Sequence, residues 1–248
     1  MGRGAARALA ARAADVVVTS RSPDRLGDAT KAILDGLSPA DGAERLGTVS
    51  GVVCDLADHD LVRDAVGHPA RLDHLIVTAS PARGGTDRDF FDGKFWGSQV
   101  ACEAAGERLP EHGSILLVSG GLAIRPAGGS WSVTCAFAAV EALARALAVE
   151  LAPRRVNCIR PGLFDTATWA HMDSAEKERF FAAKTAGLPA GRAATGTDFG
   201  DTTVGVLSSS YLTGQVITLD GGDALGGASP NSSATPMRVS RWRSIRRR

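Results

Sequence analysis

The sequence predicts one α/β domain built on a doubly wound parallel sheet, and three features predict it. Short apolar runs alternate with longer helical stretches along most of the chain. Those runs are continuously apolar rather than alternating, as strands covered on both faces are. The length of 248 residues, with 44% hydrophobic but only 5% aromatic residues, supplies a large core of small side chains suited to close helix-on-sheet packing.

The elements follow in order. An Ala-rich helix over Gly4–Ala13 leads into a strand at Val16–Thr19. Ser22-Pro23-Asp24 is a helix start, a capping hydroxyl followed by proline in the first turn, and Gly36 ends that helix. Thr48–Val53 is a strand, Asp60–Val66 a helix and Asp73–Thr78 the next strand. A long helix over Asp92–Leu109 precedes a strand at Ile115–Val118; a second long helix, Trp131–Leu151, precedes Val156–Ile159. There Pro161-Gly162 breaks the strand where a ligand could meet bare backbone. Ser174–Lys184 is a helical insert, and Tyr211–Gly222 holds the last strand and its glycine turn. No internal repeat marks a second domain, so the expected division is 1–224 for the folded domain and 225–248 for a tail.

Composition narrows the setting. Cys54, Cys102, Cys135 and Cys158 are far apart with no CxxC pair, which favours buried free thiols in a reducing compartment over a metal site or disulfides. No signal-peptide pattern and no apolar run long enough to span a bilayer stand out, so a cytoplasmic protein without a membrane partner is expected. Net charge is +1, yet no acidic residue follows Asp223, whereas Arg238, Arg241, Arg243, Arg246, Arg247 and Arg248 do. That Gly/Ser/Pro-rich tail is expected to be disordered, and an accidental extension is favoured over a nucleic-acid-binding segment.

Two segments, Arg155-Val156-Asn157-Cys158-Ile159-Arg160-Pro161-Gly162 and Tyr211–Gly222, in this order and spacing, resemble the short-chain dehydrogenase/reductase family. The similarity runs from about Gly2 to Gly222 and takes in Ala14–Arg21, Val53–Leu56, Leu72–Ser80 and Gly113–Gly120. It implies a Rossmann-type sheet, hydride transfer with a nicotinamide cofactor, and subunit pairing through the two long helices, hence a homo-oligomer. Gly2 falls where the family's Gly-rich turn ends, so the first, central strand is absent from the sequence. The expectation is that the natural chain begins upstream of Met1; the alternative is that the two flanking strands close up and pair.

By the same resemblance, Ser20 and Arg21 sit where the adenosine ribose is met. Arg21, helped by Arg3 beside Gly2, would pair with a 2′-phosphate, favouring NADP over NAD. Asp55 and Leu56 would flank the adenine, Thr78, Ala79 and Ser80 the ribose, and Pro161, Gly162 and Thr166 the nicotinamide. The family's catalytic residues do not carry over. Val133 stands at the tyrosine, Phe137 at the lysine, Gly120 at the serine and Lys94 at the asparagine. The sole tyrosine is Tyr211, and the lysines are Lys31, Lys94, Lys177 and Lys184, none four residues after it.

Lys94 and Ser119 are the substitutes to consider. A desolvated ammonium near the nicotinamide can give a proton or steady an alkoxide; the other possibility is an ordinary surface lysine. Ser119 is either a catalytic hydroxyl or a strand-end group serving local backbone. His74 and His171 are expected to pack or solvate. The leading expectation is an atypical NADP-dependent oxidoreductase acting on a small carbonyl or alcohol. Its rivals are a non-catalytic dinucleotide-binding or scaffold subunit and a truncated inactive product.

Overall fold

Parallel strands carry the molecule, and they fall into two sheets. The computed structural model describes residues 1–81, 86–166, 169 and 172–225. Among these, β1 (Val16–Ser20) pairs only with β2 (Val49–Val53), and β3 (His74–Val77), β4 (Ser114–Val118), β5 (Arg155–Pro161) and β6 (Val216–Leu219) form the second sheet in that order. Each of β1, β2, β3 and β6 therefore has a strand neighbour on one side only. Direct pairing of β1 with β3, one of the expected outcomes, does not occur. The tail's arginines and His171 lie outside the described residues.

Among the described residues eight α-helices cover the sheets: α1 (Gly2–Ala10), α2 (Pro23–Leu34), α3 (His59–Gly67), α4 (Asp87–Phe91), α5 (Gly97–Gly106), α6 (Trp131–Glu150), α7 (Ser174–Thr185) and α8 (Gly196–Ser208). Strand pleating divides the core between two layers. Ile115 and Leu117 of β4 face α3, α5 and α6 with Val140 and Ala144, whereas Leu116 and Val118 face α1 and α8 with Ala5 and Phe199. The glycines Gly4 and Gly200 let α1 and α8 cross closely, since a Cβ on either would strike the other helix's backbone or, at Gly200, Ala8.

Local chemistry explains most boundaries. Ser22 caps α2 through Arg25, with Pro23 in the first turn, and Gly36 leaves the helix at φ +59°. Arg155 closes the far end of α8 by donating to the Val206 and Leu207 carbonyls at 3.3 and 2.9 Å. Asn157 ties β5 to the turn before β6, donating to Leu212 O at 2.7 Å and accepting from the Gln215 amide.

Several expectations need correction. The helix at the start covers Gly2–Ala10 rather than Gly4–Ala13, and β5 extends through Pro161, which as the last strand residue loses no needed donor. The stretch predicted as one helix over Asp92–Leu109 is a π-helical turn at Asp92–Trp96 that continues from α4, followed by α5, which ends at Gly106. Helix α8 escaped the sequence because GTDFGDTTVGVLS is poor in helix formers; its signal was the capping box of Thr195 and Asp198. Helix α6 is, at 20 residues and mean hydropathy 1.6, long and apolar enough to cross a bilayer, contrary to the sequence expectation. Only part of that surface serves the core: Ala136, Val140 and Ala144 are buried, and so is Glu141, paired with a strand arginine, whereas Trp131 and Val149 are exposed.

Candidate active site

The π-helical turn sets the site's most unusual group. Such turns insert one residue into a helix and re-aim its side chains. Here Lys94 points inward and is only 1% exposed. Its Nζ donates to Ala79 O at 2.8 Å, just past the end of β3, and lies 5.9 Å from the centre of the Phe137 ring. Burial without a carboxylate partner pulls the ammonium from its ordinary value of 10.5 down to about 8.

Phe137 of α6 packs against the end of β4, where a Cβ on Gly120 would meet its ring. Phe90 of α4 completes an edge-to-face pair with it, centroids 5.9 Å apart at 76°. Val133, one turn earlier on α6, is half-buried, so this part of the helix presents hydrocarbon.

Ser119 is buried and turned into the layer between β4 and α6. Its hydroxyl donates to Glu141 Oε1 at 2.8 Å. Glu141 also takes a two-pronged contact from Arg160 of β5, at 2.7 and 2.5 Å, and Arg160 donates onward to Thr218 of β6 at 3.0 Å. One carboxylate thus links α6 with three neighbouring strands. Removing one partner of such a pair costs about 3–5 kcal/mol, because the other charge stays buried. Lys94 and Ser119 share no hydrogen bond, but both act on Cys158, whose thiol burial pushes up to about 11.

The positions expected to meet the cofactor lie at the strands' C-terminal ends. Gly2 opens α1 within reach of β3: a Cβ on it would come 2.8 Å from Thr78 Oγ1. Helix α1 has no capping side chain and no acid in its first turn, and Arg3 is exposed there. Ser20 ends β1 with exposed Arg21 behind it. Asp55 accepts from the Ala57 amide in the turn after β2, where Leu56 packs on the core. Thr78, Ala79 and Ser80 follow β3, and Ala79 is joined to Lys94. Pro161 ends β5, and the Gly162 amide donates to Leu219 O of β6 at 2.9 Å. Thr166 is half-buried a few residues on.

Elsewhere the expected groups stay apart. Tyr211 is 99% exposed, and His74 hydrogen-bonds Ser114 at the opposite end of the sheet. The four cysteines are free; Cys102 and Cys158 are buried, Cys54 is half-buried, and Cys135 is exposed. Among the described residues no group of His, Cys, Asp and Glu could hold a metal. An open depression lined by Arg71, Leu72 and Arg108 lies by the start of β3, away from these residues. The sequence reading missed Glu141 and Arg160, though a lone acid in an apolar helix and an arginine ending an apolar strand were visible signals.

A parallel sheet with helices on both faces and glycine breaks at its C-terminal edge is the architecture of a dinucleotide-binding protein. Comparison with known proteins makes this specific. Residues 1–223 match the family model described as enoyl-(acyl carrier protein) reductase. An uncharacterised oxidoreductase of Mycobacterium tuberculosis is 32% identical over 246 aligned residues, covering 90% of this chain and 86% of that one. A small-chain dehydrogenase solved in complex with NADPH is 31% identical, with TM-score 0.66 over 73% of this chain and 89% of its own. A short-chain type dehydrogenase/reductase from Mycobacterium ulcerans is 26% identical, with TM-score 0.77 over 91% of this chain and 86% of its own. The chain belongs to the short-chain dehydrogenase/reductase family, a family of oxidoreductases.

Proposed function

We propose that this chain is an NADP-dependent oxidoreductase that interconverts a carbonyl compound and its alcohol, with Lys94 in place of the family's tyrosine–lysine pair. The observation that carries this reading is the buried Lys94 ammonium, held at the end of β3 by Ala79 with a pKa of about 8. A group titrating there can release a proton near neutral pH, and as an ammonium it stabilises developing negative charge.

The residues present fit the cofactor. An uncapped α1 N-terminus with Arg3 suits a pyrophosphate. Exposed Arg21 after β1, with no acid at Ser20 or Arg21, suits a 2′-phosphate better than a bare ribose hydroxyl. Bound there, the reduced cofactor supplies the hydride to the carbonyl carbon. Lys94 gives the carbonyl oxygen its proton and regains one from solvent. Phe137 and Val133 keep water from this wall. Ser119, its hydroxyl committed to Glu141, positions the β4 end rather than touching substrate.

A non-catalytic dinucleotide-binding subunit is the second reading, favoured by the Phe137 ring resting on Gly120 where the family would place polar catalytic groups. Titration with NADPH and NADH, followed by cofactor consumption over a panel of ketones and quinones, separates the two. Tighter NADPH binding and turnover of at least one panel member are expected. Arg21→Asp should weaken NADPH by on the order of 1.5–3 kcal/mol while sparing NADH. Equal affinity for the two cofactors contradicts the assignment of Arg21. NADPH binding with no turnover anywhere leaves the subunit reading.

A further inference from the structure

We infer that the substrate of this site carries a flat aromatic group, received by Trp169, Phe180 and Phe181 beyond the end of β5. The inference rests on the oxidoreductase reading for the reaction, and on its own geometry for the ligand. The three rings form a closed triangle: Trp169 to Phe180 at 4.7 Å and 39°, Trp169 to Phe181 at 5.9 Å and 81°, and Phe180 to Phe181 at 5.6 Å and 84°.

That cluster stands apart from the core. Helix α7 has no buried residue, yet it places two adjacent phenylalanines, both half-buried, against a tryptophan outside it. Neither phenylalanine belongs to the two core clusters. The indole Nε1–H is committed to Phe164 O at 2.9 Å, which fixes the polar edge of Trp169 towards the chain leaving β5. What remains for a ligand is ring surface.

A further aromatic pair, Phe90 with Phe137, stands just past the end of β4, where the Phe137 ring meets Gly120. Aromatic groups thus follow the ends of both β4 and β5. Lys177 and Lys184 lie over the Phe181 and Phe180 rings at 5.7 and 6.0 Å, and Lys177 is held by Asp165 at 2.7 Å. These cations sit over the phenylalanine faces, which leaves edges and the indole face for an incoming ring. Aromatic quadrupoles reward such edge-to-face contacts beyond area burial, by roughly threefold to tenfold in affinity per ring pair, whereas an aliphatic chain of equal area gains only the area.

The test uses the full chain saturated with NADP, the oxidised form that cannot reduce a ketone. Calorimetric titration compares 2-acetonaphthone with 2-decanone, a saturated ketone of similar apolar area. The aryl ketone should bind about tenfold more tightly. Trp169→Leu and Phe180→Leu, checked for native circular dichroism, should bring the ratio to within about twofold while NADP affinity holds; Trp169→Phe should keep the preference. Equal binding of the two ketones by the parent, binding of neither, or a preference that survives both leucine variants overturns the inference. An aryl preference in a protein that consumes no NADPH would refute the oxidoreductase reading and leave the aromatic site standing. Turnover without any aryl preference would do the reverse.

Discussion

The environment of Lys94 sets both a cost and a use for its charge. Its amine is desolvated and hydrogen-bonded to a single backbone carbonyl. The pKa of about 8 in the fold lies below the ordinary 10.5, so the native state loses its proton before the unfolded chain does. Below pH 8 both states hold the proton, and the penalty for burying the charge is fully present. Between about pH 8 and 10.5 the unfolded state binds more protons, so this group's contribution to stability rises with pH. Lys94→Met removes the penalty at the start. Denaturant titrations should therefore show the variant more stable than the parent at pH 7, by on the order of 1–3 kcal/mol, with the difference shrinking as pH approaches 10. A difference constant with pH would mean that Lys94 carries no buried charge.

At the scale of elements, the two sheets leave unpaired edges. The amides of Val16 and Cys54 donate across the β1–β2 ladder to Thr48 and Ser20. Alternation then turns Val17 and Thr19 to the free side of β1. On β3, Asp73 O accepts from Ser114, which by the same alternation turns the Ile76 amide to the free side. Amide exchange should be markedly faster at Val17, Thr19 and Ile76 than at Val18 and Val77. Equal protection across both sets would show that the free edges find partners in solution. These strands were legible in the sequence because a buried parallel strand needs an unbroken run of Val, Ile and Leu, as in Val16-Val17-Val18 and Ile115-Leu116-Leu117-Val118. The π-turn at Asp92–Trp96 was not legible, since one inserted residue leaves helical composition unchanged. It is nevertheless what carries Lys94 inward.

Over the whole molecule, the layering and the family followed from strands, glycine turns and their order, and both hold in the structure. The site was only partly legible. Ordering along the chain placed Gly2, Thr78, Ala79 and Lys94 at one end of the sheet, and the structure joins Gly2 to Thr78 and Lys94 to Ala79. The link from Glu141 to Arg160 and Ser119 depends on how α6 is rotated over β4 and β5, which no single periodicity reports. The same holds for the rings of Trp169, Phe180 and Phe181, brought together across a turn. In the proposed reaction Lys94 supplies the proton. Single-turnover oxidation of bound NADPH by a reducible panel ketone, compared between the parent and Lys94→Met, tests it most directly. The variant should lose about 10²–10⁴-fold in rate while binding NADPH within about twofold of the parent. An unchanged rate in the variant would contradict the claim and assign the proton to another group.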